Sequence, residues 1–530
     1  MAFIDIGLET FNMTENGPII TIDSPASDLF ELTRKYGLEV DKPLKRIFQL
    51  VIAQGCKTVL VEQEYKDENW TSERKIFYSK LHKQYSLKTT RLHFFSSNLR
   101  MEDIGNLASF QKDYIGFCIL RPSNLPKVSL AIIRPIEDQN YPRRSFMVCQ
   151  EDFSVDISSF SKISQRLWVH RAFPFIQQDG QAGCCAHAAL MMAGRFLVQR
   201  RNKGKPECQH EPYPLLENIV DSISSVAVEG RKTPTPGLLP VEISQAVAGM
   251  KCAPLVYEFR KGATMPVPSD RIIYHYLESG IPVQLIIPTE EGRHALTVVG
   301  HSFNPDVWWV LAQEYYSRRP SGGNYHSSTT WIENFIVHDD NFGPYLTVPK
   351  EFILAAENLY GVVIVVPLPM DVNMNGERAE MLANMFLLTE IDPQKLVQAK
   401  MESRITTKTW DWFELFWRHY IRNDVVLRTW LLSSEDFKTN HAPEHLKPHY
   451  GLLRLPPKVW LSELSIPELF CHARFRLGEI IFDSTAVPWP RQRPFLSIHV
   501  PGLLIVRNTE TEELQYIDIR DDFPYLHVMR

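Results

Sequence analysis

One segment limits the fold more than any other. Residues 186–198 read Ala-His-Ala-Ala-Leu-Met-Met-Ala-Gly-Arg-Phe-Leu-Val, apolar on nearly every side of a helical projection. A helix with no wet face is stable only when other elements pack all round it, so this one belongs at the centre of a domain. A glycine-containing loop leads into it, and two adjacent cysteines, Cys184 and Cys185, fall where the helix begins.

The rest of the chain supplies the surroundings. At 530 residues it is too long for one ordinary core, and roughly 150 residues per domain suggests two to four domains. Apolar residues make up 44% and charged residues 22%, which excludes a disordered or fibrous chain. No internal repeat and no low-complexity tract is present, against solenoids and propellers. The sequence divides into an N-terminal α/β accessory domain (1–165), a central domain (166–370) and a C-terminal α+β accessory domain (371–530) joined by the proline-rich Val-Val-Pro-Leu-Pro-Met-Asp.

Within these blocks the patterns are local. The first has a helical pattern at 44–53, a strand at 58–62, helix near 73–85, and strands at 114–120 and 128–136. In the central block a short helix is expected over 237–249, with proline in its first turn and glycine at its end. Strands rich in β-branched residues are expected at 282–287, 294–300, 334–338 and 360–366. The third block reads as helical from Arg378 to Trp430 and as strand from Leu477 onward. The fold class is α+β.

Charge and targeting signals narrow the partners. A net charge of -5 gives no electrostatic footprint for nucleic acid. The basic cluster Arg200-Arg201-Asn202-Lys203 reads as a solvated loop. The first nine residues lack the basic leader and apolar stretch of a secretory signal. No window reaches the roughly 18 apolar residues of a membrane span; 352–370 comes closest and reads as a helix end followed by a buried strand. Eight sparse cysteines argue against a disulfide framework and for a reducing compartment, so a cytoplasmic setting without membrane association is expected.

The cysteine pair is where chemistry becomes legible. Unpaired N–H groups and partial positive charge at a helix N-terminus lower a thiol's pKa. A thiolate nucleophile also needs a histidine to share its proton, a polar group to hold the imidazole, and donors for the oxyanion. His294 opens the strand Ala-Leu-Thr-Val-Val-Gly, and Asp339 ends Phe-Ile-Val-His-Asp, from which its carboxylate can sit behind the ring. Gln178, shortly before the pair, can turn its amide toward the oxyanion.

This succession of Gln, Cys on a helix, His on a strand and Asp on the next is similar to that of papain-like cysteine peptidases. More narrowly, Phe-Pro-Phe-Ile-Gln-Gln-Asp-Gly-Gln-Ala-Gly-Cys-Cys-Ala-His-Ala-Ala-Leu-Met-Met resembles the nucleophile segment of bacteriocin-processing (double-glycine leader) peptidases. Gly-Ile-Pro-Val-Gln-Leu-Ile-Ile and His-Ala-Leu-Thr-Val-Val-Gly-His resemble that family's strand before, and strand bearing, the catalytic histidine. The likeness covers about two hundred residues and implies a nucleophile helix packed on an antiparallel sheet. It departs at the doubled cysteine, where the family usually has one cysteine followed by glycine. Counting the family's gap from Gln178 selects Cys184; matching Ala, Leu and Met in the helix selects Cys185, which is preferred because helix phase is harder to shift than loop length. It departs again at Asp-Asp-Asn (339–341), where the family commonly has Asp-Pro; Asp339 is preferred because it ends the strand.

Competing roles are assigned by position. His187, on the nucleophile helix, is a pocket or packing residue, and His301, His338, His499 and Asp518 are structural. Cys184, Cys185 and His187 with Cys208 and His210 could be drawn around zinc, but adjacent cysteines lack the spacing of a zinc knuckle. The expected activity is therefore a cysteine-nucleophile hydrolase that cleaves peptide or isopeptide bonds in a protein or peptide substrate without cofactor or metal. Cys185, His294 and Asp339 form its triad, with Gln178 as oxyanion donor. Deamidation or transglutamination would use the same triad, and a non-catalytic papain-like protein-binding module would use the same scaffold. The flanks permit a regulatory protein partner.

Overall fold

A computed structural model describes residues 19–21, 40–81, 85–122, 127–136, 145–158, 160, 164–224, 237–262, 266–290, 292–304, 325–391, 393–402, 406–487, 494–508, 511–519 and 525–526. The amino-terminal residues read for a leader lie outside them. The protein is mixed α+β and is built on three large sheets whose strand pairs are antiparallel except for one short parallel pair.

The first sheet runs, edge to edge, Ile19–Thr21, Thr58–Lys66, Lys88–Phe95, Tyr114–Leu120, Val128–Ile133, Gln165–Phe175 and Glu151–Ile157. Burial follows position in the sheet: the inner strands Tyr114–Leu120 and Val128–Ile133 are buried on both faces, whereas the edge strand Glu151–Ile157 alternates buried and exposed. The second runs Gly343–Pro349, Ile332–Asp339, Gly292–Phe303, Val283–Thr289, Val363–Pro369 and Cys252–Glu258, and Ser145–Met147 also pairs with Gly292–Phe303. The third runs His326–Ser327, Val426–Ser433, Lys458–Ser465, Gly478–Asp483, Phe495–Val500, Leu503–Arg507 and Leu514–Asp518.

Strands thus pass between segments of the chain. Gln165–Phe175 closes toward the first sheet, Ser145–Met147 reaches the second, and His326–Ser327 joins the third. One apolar cluster extends from Leu44 to Ile505.

The apolar segment of the centre forms the helix Cys185–Asn202, buried along most of its length, with Arg200 and Arg201 in its last turn where they complement the helix dipole. It packs against Gln165–Phe175 of the first sheet and Gly292–Phe303 of the second. Gly194 permits the closest approach: a Cβ there would lie 2.6 Å from Pro214 and 2.7 Å from Met250.

Several boundaries differ from the sequence expectation. The helix placed near 73–85 starts earlier, at Glu68, because the Asp67 carboxylate caps it at the Trp70 N–H, and it ends at Ile76. The helical pattern read through Trp430 breaks into Gly376–Glu390, Pro393–Met401 and Thr407–Ile421, and Trp430 lies in the strand Val426–Ser433. Asn423, with φ +59°, turns the chain out of the helix. The strand that follows is buried on both faces, so its apolar run carries no period-two signal to set it apart from helix.

Candidate active site

Cys184 is the N-cap of the helix and Cys185 its first residue. The loop before them is shaped by Asp179. Its buried carboxylate accepts the N–H groups of Ala182 at 2.9 Å and Gly183 at 2.7 Å, and the Tyr78 hydroxyl donates to it at 2.7 Å. Gly180, with φ +72°, allows the chain to curl round that carboxylate. The turn delivers the cysteine pair to the helix N-terminus, and Tyr78 ties it to the N-terminal segment.

Antiparallel pairing assembles the other half. Thr297 stands opposite His338, so the end of Ile332–Asp339 lies alongside the start of Gly292–Phe303. His294 Nε2 is 2.9 Å from Asp339 Oδ1 and 3.6 Å from Asp340 Oδ1. Asp339 Oδ1 also accepts the Asn341 N–H at 2.8 Å. The turn that follows is latched from outside by Arg46, whose guanidinium donates to the carbonyls of Pro344 at 3.2 Å and Tyr345 at 2.8 Å.

The Cys185 thiol lies close enough to Cys184, the His294 side chain and the Ala295 N–H for each to act on its proton. Its hydrogen bond to Cys184 and its burial push it up to about 12, while His294 acts in the opposite direction. Cys184 is held below the ordinary thiol value by that same hydrogen bond, helped by the backbone N–H groups of His187 and Ala186. The contact between the two sulfurs thus acts oppositely on them, lowering Cys184 and raising Cys185. Burial alone would lower His294, but its hydrogen bonds to Asp339 and Cys185 and the charges of both aspartates raise it to about 10. Burial pushes Asp340 up to about 7. His294 thus lies between the two carboxylates and the sulfur pair.

Cys184 has a second neighbour. Its Sγ is 3.1 Å from His187 Nδ1, and its own N–H donates to that nitrogen at 3.2 Å. Burial lowers His187 to about 4 against the charges of Cys185, Asp179 and Glu242, and its Nε2 accepts or donates no hydrogen bond among the described residues. This pair closes the first turn of the helix.

The structure brings Cys185, His294 and Asp339 together. Gln178 takes a different contact: its side-chain amide donates to Asn341 Oδ1 at 3.1 Å, linking the loop before the helix to the turn after Asp339. Sequence reasoning missed Asp179 and Tyr78. The Asp-Gly step at 179–180 signals a turn, but nothing local identifies a tyrosine about one hundred residues upstream as its partner. His301 pairs with Glu278 and His499 with Glu479, both in buried contacts. Cys208 is exposed. Among the described residues, the grouping of side chains with metal-ligating geometry is His294, Asp339 and Asp340, not the set around Cys208. No helix among the described residues is long and apolar enough to cross a membrane. The chain matches no protein-family model and no curated protein.

Proposed function

We propose that the protein is a cysteine-nucleophile hydrolase acting on peptide or isopeptide bonds through a papain-like arrangement, with Cys185 as nucleophile. The observation that carries this reading is the line Cys185, His294, Asp339: a thiol on the first residue of a buried helix, in contact with an imidazole whose far nitrogen is held at 2.9 Å by a carboxylate. The two carboxylates occupy Nε2, so Nδ1 is the nitrogen available to the thiol.

The roles follow from the chemistry. Cys185 attacks the carbonyl carbon, and its proton passes to the His294 side chain, which returns it to the leaving amine. Asp339 holds the ring and stabilises the imidazolium. Backbone N–H groups of the first helical turn face the developing oxyanion. Cys184, beside Cys185, raises the Cys185 thiol, and the proton leaves that thiol through His294. Gln178 braces Asn341 in the free protein, and its amide becomes an oxyanion donor only on leaving that partner.

The test is product analysis. The full chain and C185A are incubated with a mixed peptide library, and new termini are read by mass spectrometry. New amino termini made by the wild type and not by C185A support the reading. Glutamine-to-glutamate conversion, or amine incorporation without cleavage, would move the assignment to acyl transfer on the same triad. A wild type indistinguishable from C185A would overturn it.

A further inference from the structure

Asp340 is buried, 1% exposed, and neither of its carboxylate oxygens accepts a hydrogen bond in the structure. Four other buried carboxylates are provided for: Glu73 by Arg121, Glu62 by Arg91, Glu278 by Arg428, and Asp179 by backbone N–H groups and Tyr78; Asp270 and Glu479 each leave one oxygen without a hydrogen bond, whereas Asp340 leaves both. A buried charge without donors is strongly unfavourable unless it is paired or coordinates a metal. Asp340 is aimed at His294, which already holds Asp339.

We propose that His294, Asp339 and Asp340 form a binding site for one zinc-class divalent cation, with His294 Nε2 and one oxygen of each carboxylate as ligands. All three ligand atoms lie within 4.8 Å of one another. Zinc bonds of roughly 2 Å in a tetrahedron place ligand atoms about 3.3 Å apart. The two observed separations from Nε2, 2.9 and 3.6 Å, bracket that value. Two carboxylates and a neutral imidazole cancel the charge of a divalent ion, and the imidazole selects zinc-class metals over magnesium or calcium. His294 and Asp339 are each about one-tenth exposed, which leaves the fourth position to water.

The consequence for the thiol rests on the reading of Cys185 as nucleophile. A cation on Nε2 displaces its proton and confines the remaining ring proton to Nδ1. The nitrogen available to Cys185 then donates and cannot accept the thiol proton. The cation acts as a reversible brake.

The experiment is calorimetric titration of the chelator-treated full chain with zinc chloride, for wild type, D340N, D339N and C185A. The expected result is one zinc per chain at this site, binding at least tenfold weaker in D340N and in D339N, and binding within about twofold of wild type in C185A. Circular dichroism on each variant confirms the fold, and D339N stands in if D340N misfolds. Zinc binding in D340N and D339N equal to wild type, or lost in C185A as fully as in D340N, would overturn the site. Iodoacetamide labelling of Cys185 should slow at least tenfold with zinc, recover with chelator, and slow far less in D340N; a zinc effect equal in D340N overturns the brake. If zinc binds with this variant pattern but Cys185 never labels in zinc-free protein, the cation site stands and the nucleophile reading falls. If Cys185 labels quickly while binding ignores D340N, the opposite holds.

Discussion

Two histidines on the strand Gly292–Phe303 meet carboxylates, with opposite consequences. His301 contacts Glu278 at 2.5 Å, and Glu278 is also held by Arg428, which reaches Glu463 at 2.7 Å; Glu463 in turn accepts from Arg476 at 2.9 Å. Although burial alone would raise it, Arg428 and His301 hold Glu278 well below the usual carboxylate range. His294 meets two carboxylates with no arginine between them and has a thiol on its other side. The first cluster alternates charge until every member is matched and so joins the second sheet to the third. The second leaves an excess of negative charge around one imidazole. Completeness of pairing separates a buried ionic joint from a reactive site.

The sharpest way to break this comparison is to exchange the effects of the two clusters. H294A should lower turnover by about 10²–10⁴-fold while costing less stability than the loss of Arg428, since Asp340, pushed up to about 7 by burial, takes a proton when the imidazole goes. R428M should cost about 3–5 kcal/mol of stability by leaving Glu278 and Glu463 buried without their shared cation, measured by denaturant unfolding, while thiol reactivity per folded molecule stays near wild type. If both variants lower turnover and stability to the same degree, the distinction fails.

Acid should reveal a third kind of histidine. Burial lowers His93 and His187 to about 4 and His338 to about 3. Below about 6.5 the unfolded chain takes up protons that these folded side chains refuse, so they cost stability as pH falls from 6.5 toward 4, on the order of 3 kcal/mol each. Glu278, held low, keeps its contribution through that window and loses it only below the ordinary carboxylate pKa. Asp340 and Glu73, pushed up to about 7 by burial, take up protons in the folded state over the same window and offset part of this loss, so the rings are followed directly: the NMR signals of His93, His187 and His338 should not titrate above about pH 5, and protonation of any of them near pH 6.5 would contradict their neutral burial.

Smaller effects test the supports of the site. D179A removes the acceptor for the Ala182 and Gly183 N–H groups and for Tyr78; a cost of about 1–3 kcal/mol is expected, with slower labelling of Cys185 as the loop loses its shape. G194A forces a methyl against Pro214 and Met250 and should cost about 1–3 kcal/mol without altering which cysteine reacts. Thermal unfolding with peptide mapping checks both.

What could be read in the sequence divides along the same physical line. The helix bearing Cys185 was legible because it has no wet face, and His294 and Asp339 because they sit at the ends of short β-branched runs. The doubled acid at 339–340 was visible, but only the structure shows that Asp340 is buried without a hydrogen bond. Asp179 with Tyr78 and Arg46 with the turn after Asp339 were not legible, because each contact joins residues far apart in sequence. The strand holding Trp430 carries no strand signal in the sequence because burial on both faces erases its periodicity.

The most direct measurement of the central claim is timed iodoacetamide labelling at neutral pH, followed by peptide mapping that resolves Cys184 from Cys185. One fast-labelling cysteine is expected, Cys185, slowed by at least about 100-fold in H294A and retained in C184S. Equal, slow labelling of all eight cysteines, or fast labelling indifferent to His294, would contradict it.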